Sequence, residues 1–454
     1  MHIISSQHIM AYRHSDTRRS AIAMNGLPIL RQAVFTYRHF KDAKNQMKNS
    51  LTPTAEKQRF IILDAMRGLA LLGICLANFP EFALWTFLSR EAQEAMATAH
   101  ADDVVHFFQY LFVDAKFYSI FSILFGIGFS IILSHSEERG NSGISLFYRR
   151  MFTLLCIGIA HLLLLWSGDI LALYAITGML LPLVRKLSDK RLLTLAAACL
   201  SLPILLDAWQ ELSGISISAT IETAWWAKAH SYGITEENFA SWLRDTDNYQ
   251  GVHQFLMQGA IERMYEFVDG HRLLKVLGLF IIGYTIGRNR LYARLAENKH
   301  SLSVTFFTTL AIGLPSSILY AISAVSHHCW GGTIHSMLYA LSAYPMALAY
   351  ITAFCLLYLR RPKSMLFNLL SKPGRMALTN YLTQSLFGIA IYYGIGLGLG
   401  LSMGLWQIEL TAIAVFLIQI LLSHFWMQHF RYGLVEWLWR MLTYLKWLNP
   451  IRKL

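Results

Sequence analysis

Charge is what this sequence has least of. Only 15% of its 454 residues are Asp, Glu, Lys or Arg, against about 25% in an ordinary soluble domain. Acids are the scarcer sign, with 27 Asp and Glu against 39 Lys and Arg, a net charge of +12. Cysteine is scarce too. The chain has five, and none forms a CxxC pair, which excludes a spaced zinc site and a disulfide framework. Cys75, Cys156, Cys199 and Cys355 fall in apolar runs and Cys329 in a loop. No GxSxG, Walker or HExxH motif is present, so the corresponding soluble hydrolase, nucleotidase and zinc-protease sites are excluded. The glycine runs at 126–128 and 396–400 follow no strand. They read as packing or kinks inside membrane spans, not as phosphate loops.

Apolar residues are what is there. They make up 55% of the chain, with a mean hydropathy of +0.41. Runs of about 20 apolar residues recur, the signature of transmembrane helices. They are too long for the alternating strands of a membrane barrel. The fold expected is an all-α polytopic membrane protein with about ten transmembrane helices. The spans fall near 61–80, 107–134, 149–166, 168–185, 191–208, 272–290, 302–324, 334–359, 376–400 and 406–427. The second is long, and its crossing is expected to begin near Asp114. Pro315 and Pro345 are expected to kink their helices.

Five regions follow. Residues 1–58 read as a disordered basic tail with no secretory h-region, weakly similar to a transit peptide, or an extension ahead of a start at Met47. Residues 59–208 and 272–430 form two five-helix membrane halves. Residues 209–271 form an acidic extracytoplasmic region with short amphipathic helices, whose Trp225–Trp226 pair reads as an interfacial anchor. Residues 431–454 form an interfacial helix and cytoplasmic tail. The basic loops 185–191, 288–299 and 360–375, with Arg149, Arg150 and both terminal segments, fall on one side. The positive-inside rule then places both termini in the cytoplasm. The net positive charge is thus a topology signal, and no nucleic-acid module accompanies it.

Polar residues inside apolar spans are costly and mark candidate sites. In the first span, Asp64 and Arg67 are three apart, so they share a face and can pair. Asn78 returns to nearly that face eleven residues later. Asp114 and Lys116 stand at the outer end of the second span and read either as a loose surface pair or as substrate contacts. In that span Ser122, Gly126 and Ser130 form a small-residue stripe for close helix contact. His161 lies in the outer half of the third span, and Asp169 opens the fourth. Asp169 reads either as a helix cap or as the orienting carboxylate of a His161 general base. Arg375, Asn380 and Gln384 open the ninth span, with the last two on one face. These residues sort into two layers. Asp64, Arg67, Arg375, Asn380 and Arg288 lie inside, and Asn78, Asp114, Lys116, His161, Asp169 and His335 outside.

RFIILDAMRGLALLGICLAN resembles the first span of the YeiB-type bacterial inner-membrane proteins. KFYSIFSILFGIGF, HLLLLWSGDILALYAITG, GLFIIGYTIGR, GRMALTNYLTQS and GLVEWLWRMLTY resemble that family's later blocks, in the same order, across about residues 58–448. The family's C-terminal half is a domain of unknown function, number 418. The resemblance implies a multi-pass protein of the bacterial inner membrane. The first half is also similar to the transmembrane acyltransferases that include heparan-glucosaminide acetyltransferase. The shared residues are the DxxRG opening and a downstream Asn, here Asp64, Arg67, Gly68 and Asn78. Those enzymes use cytosolic acyl-CoA and acylate a sugar on the far side. The catalytic histidine of the lysosomal enzyme follows its first span. Here that loop offers His100 and His106 in an unmatched context, so the role is carried to neither.

The expectation is an acyltransferase with acyl-CoA as co-substrate and a glycan or lipid acceptor. Asp64, Arg67, Arg375, Asn380 and Gln384 would face the donor. Asn78, Asp114 and Lys116 would face the acceptor, with His161 as base and Asp169 as its orienter. No metal is implied, and a homo-oligomer is left open. The alternatives are a transporter or exporter of a small metabolite or lipid, which paired polar residues at depth serve equally well, and a non-catalytic membrane scaffold.

Overall fold

The computed structural model describes residues 60–137, 143–326 and 330–451. The basic segment 1–58 and Cys329 lie outside them. The contacts below belong to one compact unit, residues 55–135 and 142–454.

The apolar runs form helices because an isolated backbone in lipid must satisfy its own hydrogen bonds. In chain order these are α1 (Ile61–Phe82), α2 (Arg90–Glu94), α3 (Ala99–Phe112), α4 (Lys116–Glu137), α5 (Ile144–Leu164), α6 (Leu171–Gly178), α7 (Leu181–Val184), α8 (Asp189–Ser213), α9 (Ala219–Ser231), α10 (Trp242–Asp245), α11 (Tyr249–Asp269), α12 (Arg272–Arg288), α13 (Lys299–Val325), α14 (Gly332–Arg360), α15 (Met365–Arg375), α16 (Ala377–Tyr392), α17 (Leu405–His429) and α18 (Leu434–Tyr444). The protein is an all-helical polytopic membrane protein. Seven helical segments among the described residues are long and apolar enough to cross a bilayer. In α13 only 11% of the most apolar window is buried, so its Phe307, Ile312 and Leu319 present a lipid-facing surface.

All ten expected spans are helical, but three are shorter than a full crossing. The fourth is split into α6 and α7, with Gly178 ending one and Pro182 opening the other, as their backbone preferences favour. The sixth, α12, has 17 residues and the ninth, α16, has 16. The ninth ends at Tyr392, so the glycine run 396–400 lies beyond the helix and not inside a span. Glycine's poor helix propensity favours that stop. The loop is fastened by Gly394 N–H to the Leu243 carbonyl and Leu401 N–H to the Ala83 carbonyl, at 2.9 and 3.1 Å. The second span breaks where expected. Helix α3 stops at Phe112, Ala115 takes a φ of +60°, and α4 starts at Lys116. Pro315 and Pro345 sit inside helices that continue past them.

Two close approaches set the helix packing. A Cβ on Gly68 would lie 2.0 Å from the Leu370 carbonyl oxygen, and one on Gly374 would lie 1.8 Å from that of Asp64. Helices α1 and α15 therefore meet backbone to backbone, and the basic loop expected at 360–375 is largely the helix α15. In the same way Gly126 of α4 meets the Phe280 carbonyl and Gly283 of α12 meets that of Ile123. This is the contact the small-residue stripe implies. Residues 209–271 form α9 to α11. Trp225 stacks on Trp226 at 4.8 Å and donates to Gln258 of α11. The pair is thus packed within this region.

Candidate active site

The α5–α6 hairpin closes tightly because Gly158 allows it: a Cβ there would lie 2.5 Å from the Ala172 nitrogen. One turn further along α5 stands His161, whose carbonyl accepts the N–H groups of both Leu165 and Trp166 at 2.9 Å. The chain then reverses, and Asp169 arrives at the start of α6. Its Oδ1 accepts the Ala172 N–H at 2.8 Å. Its Oδ2 lies 2.8 Å from His161 Nδ1. Asp169 therefore caps the helix and bonds the histidine with one carboxylate, so both of the contacts the sequence suggested are present.

The other ring nitrogen faces α16. His161 Nε2 lies 2.8 Å from Ser385 Oγ. The three residues His161, Asp169 and Ser385 are 2%, 1% and 0% exposed. A carboxylate only accepts hydrogen bonds. In a neutral ring, Asp169 therefore favours the tautomer with the proton on Nδ1, which leaves the Nε2 lone pair to accept the serine proton. Tyr381 flanks the histidine with ring centroids 5.3 Å apart, and Trp166 at 6.1 Å.

A cavity of about 330 Å³ borders the hairpin loop at Ser167. Glu81, Glu262, Arg263 and Glu266 also line it. Arg263 fixes the wall by donating from Nε to the Ser167 carbonyl at 2.8 Å. It also pairs with Glu81 at 3.4 Å and with Glu266. Burial pushes the Glu262 carboxyl well above the usual carboxylate range, and the charges of Glu266 and Glu81 add to the rise. Asn78 is half-buried next to Ala77, which lines the cavity, but is not itself on the wall.

The other candidates fall into three places. Asp64 and Arg67 pair at 2.6 Å, as their spacing implies, and Gly374 brings Arg375 to that end of α1. Arg375 donates to the Arg431 carbonyl at 3.3 Å, and nearby Arg150 stacks on Trp439 at 3.8 Å. Asn380 and Gln384 tie α16 to α17: Asn380 donates to Ser423 at 3.0 Å, and Gln384 donates to Gln419 at 3.1 Å. Gln419 in turn donates to the Asn380 carbonyl and to Thr383.

Asp114 and Lys116 form no surface pair. Lys116 is fully buried and donates to the Tyr110 carbonyl at 2.5 Å. Asp114 accepts the Tyr320 hydroxyl at 2.7 Å. The turn at Ala115 points the two residues to different partners. His335 packs against the same Tyr320 with ring centroids 5.0 Å apart, while Arg288 bonds the Leu187 carbonyl and Asp189. The outer layer is therefore two groups, one around His161 and one around Tyr320. Sequence reasoning missed Ser385, Arg263, Glu262 and Glu266. Ser385 lies 224 residues from His161, and no spacing motif spans that distance.

Comparison with known proteins places the chain. Residues 286–446 match a family model described as "Protein of unknown function (DUF418)". The chain is 30% identical over 423 residues to the uncharacterized protein YxaH of Bacillus subtilis (strain 168), covering 89% of this chain and 99% of that one. It is 30% identical over 403 residues to the uncharacterized protein YeiB of Escherichia coli (strain K12), covering 85% and 96%. An uncharacterized 39.9 kDa protein in the amylase 3' region of Bacillus acidopullulyticus is 26% identical over 407 residues, covering 87% and 96%. No solved structure matches. The chain belongs to the DUF418 family, as a homologue of YeiB and YxaH over most of its length.

Proposed function

We propose that this protein is a membrane-embedded acyltransferase. It moves an acyl group from a cytoplasmic acyl-CoA to a hydroxyl or amine acceptor reached from the outer face. The observation that carries this reading is His161 held between Asp169 and Ser385, with 2.8 Å on each side. A histidine with one nitrogen held by a carboxylate and the other on a hydroxyl is placed to act as a general base.

The finer topology belongs to the same reading. Ten crossings with both termini in the cytoplasm of a bacterial inner membrane fit the one-sided distribution of basic loops. The 17 residues of α12 span about 26 Å at 1.5 Å per residue, close to the hydrocarbon thickness. The inner end of α1 and α15 supplies Arg67 and Arg375 for donor phosphates. Helix α16 runs from that end past Asn380 to Ser385, about 12 Å beyond Ala377. The cavity beside Ser167 is the acceptor side, where its carboxylates suit hydroxyl or amine groups.

The test uses purified protein in lipid nanodiscs, labelled acetyl-CoA and long-chain acyl-CoA, and a panel of glycan and lipid acceptors. Transfer is expected, and His161→Ala should lower its rate about 10³- to 10⁴-fold. Absence of both acyl-CoA binding and transfer would refute the reading. Solute flux through proteoliposomes without acyl-CoA would favour a transporter.

A further inference from the structure

We infer that Ser385 is the covalent relay of this site, a nucleophile that carries the acyl group between donor and acceptor. The inference rests on the acyl-transfer reading and deepens it. A buried helical serine or threonine ordinarily returns its proton to the carbonyl four residues back. Ser119, Ser122, Thr285 and Thr352 do so here, at 2.7 to 2.9 Å. Ser385 is fully buried on α16 and makes no such bond among the described residues. Its hydroxyl meets His161 Nε2. One turn before it, the Tyr381 hydroxyl is buried, and its proton meets no acceptor among the described residues. That leaves a donor beside the serine for an oxyanion.

The chemistry balances in two halves. Ser385 Oγ gives its proton to His161 Nε2 and attacks the carbonyl carbon of an acyl thioester. A C–O bond forms, the C–S bond breaks, and His161 returns the proton to the leaving thiolate. This gives a free thiol and a serine ester. An acceptor hydroxyl then gives its proton to Nε2 and attacks the ester carbonyl, and Oγ leaves and takes the proton back. Donor and acceptor therefore need not share the site. The thiol departs before the acceptor enters, so one histidine serves both halves.

The test incubates nanodisc protein with acetyl-CoA and no acceptor, quenches in acid, and maps adducts by peptide mass spectrometry. One acetyl group is expected on the peptide containing Ser385, lost on adding acceptor. Ser385→Ala should lose the adduct and lower transfer about 10³-fold, while Ser385→Cys retains an adduct as a thioester. Thermal melting and size exclusion verify that each variant folds. Transfer that persists in Ser385→Ala but fails in His161→Ala would overturn the relay and leave acyl transfer standing, with His161 acting directly on the acceptor. A fluorophosphonate probe tests the serine without any acyl donor. Labelling of Ser385 that requires His161 supports an activated nucleophile even if the acyl-CoA reading fails, and absence of labelling in folded protein counts against it.

Discussion

The carboxylate of Glu436 accepts the backbone N–H of Leu378 at 2.7 Å, and that of Thr379 at 3.1 Å. A residue of α18 thus caps the N-terminus of α16, 58 residues earlier in the chain. The Thr379 hydroxyl also donates to it, at 2.5 Å. A carboxylate suits this place, because the first turn of a helix leaves N–H groups unpaired and carries partial positive charge. The interfacial helix expected at the C-terminus therefore fastens the helix that bears Asn380, Gln384 and Ser385.

Glu436→Ala should accordingly lower stability by about 1–2 kcal/mol, the usual range for a lost cap. It should also expose α18 to proteolysis. Differential scanning fluorimetry in detergent and limited trypsinolysis measure both. Glu436→Gln keeps one acceptor oxygen and should lose less. Equal melting of wild type and Glu436→Ala would show that the cap contributes little.

Gly68 makes a sharper case, because its neighbour is backbone. A methyl group at Gly68 would lie 2.0 Å from the Leu370 carbonyl oxygen, which cannot turn aside as a side chain can. Gly68→Ala should force α1 from α15 and cost about 1–3 kcal/mol, as overpacking does. Gly128 in α4 is the control, with open space around its hypothetical Cβ. Gly128→Ala should be neutral or stabilise by about 0.5–1 kcal/mol, from helix propensity. Matched melting curves of the two variants would show whether the close approach matters.

What the sequence revealed depended on distance along the chain. The Asp64–Arg67 pair was legible because three residues is a helical neighbour spacing. His161 and Asp169 were legible because a tight hairpin joins them. Ser385 and Glu436 were not, since their partners are supplied by helices far away in sequence. That Asp114 and Lys116 part company was not legible, for a local reason. The backbone turn at Ala115 uses a positive φ without glycine, so nothing in the composition marks it. The missed cavity wall, Glu262 to Glu266, lies on α11, whose acids look like an ordinary solvated helix face in sequence.

The Tyr320 group admits its own test. Tyr320→Phe removes the hydroxyl bonded to Asp114 at 2.7 Å and leaves a half-buried carboxylate short of a donor. The expected loss is about 1–3 kcal/mol. Tyr110→Phe should be nearly silent, because Lys116 bonds the backbone carbonyl of Tyr110 and not its side chain. If acyl transfer by Tyr320→Phe remains at the wild-type rate below its melting point, Asp114 is a structural residue. A rise in acceptor KM would instead place it on the acceptor path.

Under the acyl-transfer proposal, Asp169 separates stability from chemistry within one side chain. One oxygen caps α6 and the other orients His161, each at 2.8 Å. In Asp169→Asn the new side chain would retain a carbonyl oxygen for the Ala172 N–H, and asparagine caps helices as well as aspartate does. Its amide, however, would present N–H donors to His161 Nδ1. The ring would then take the opposite tautomer and carry its proton on Nε2, where it can no longer accept from Ser385. Asp169→Asn should therefore melt within a few tenths of a kcal/mol of wild type, yet lose about 10⁴-fold in transfer rate. Asp169→Ala removes both functions, and should lose about 1 kcal/mol of stability as well. Were Asp169→Asn to transfer acyl groups at the wild-type rate, the carboxylate would be a cap alone and His161 would not act through that tautomer.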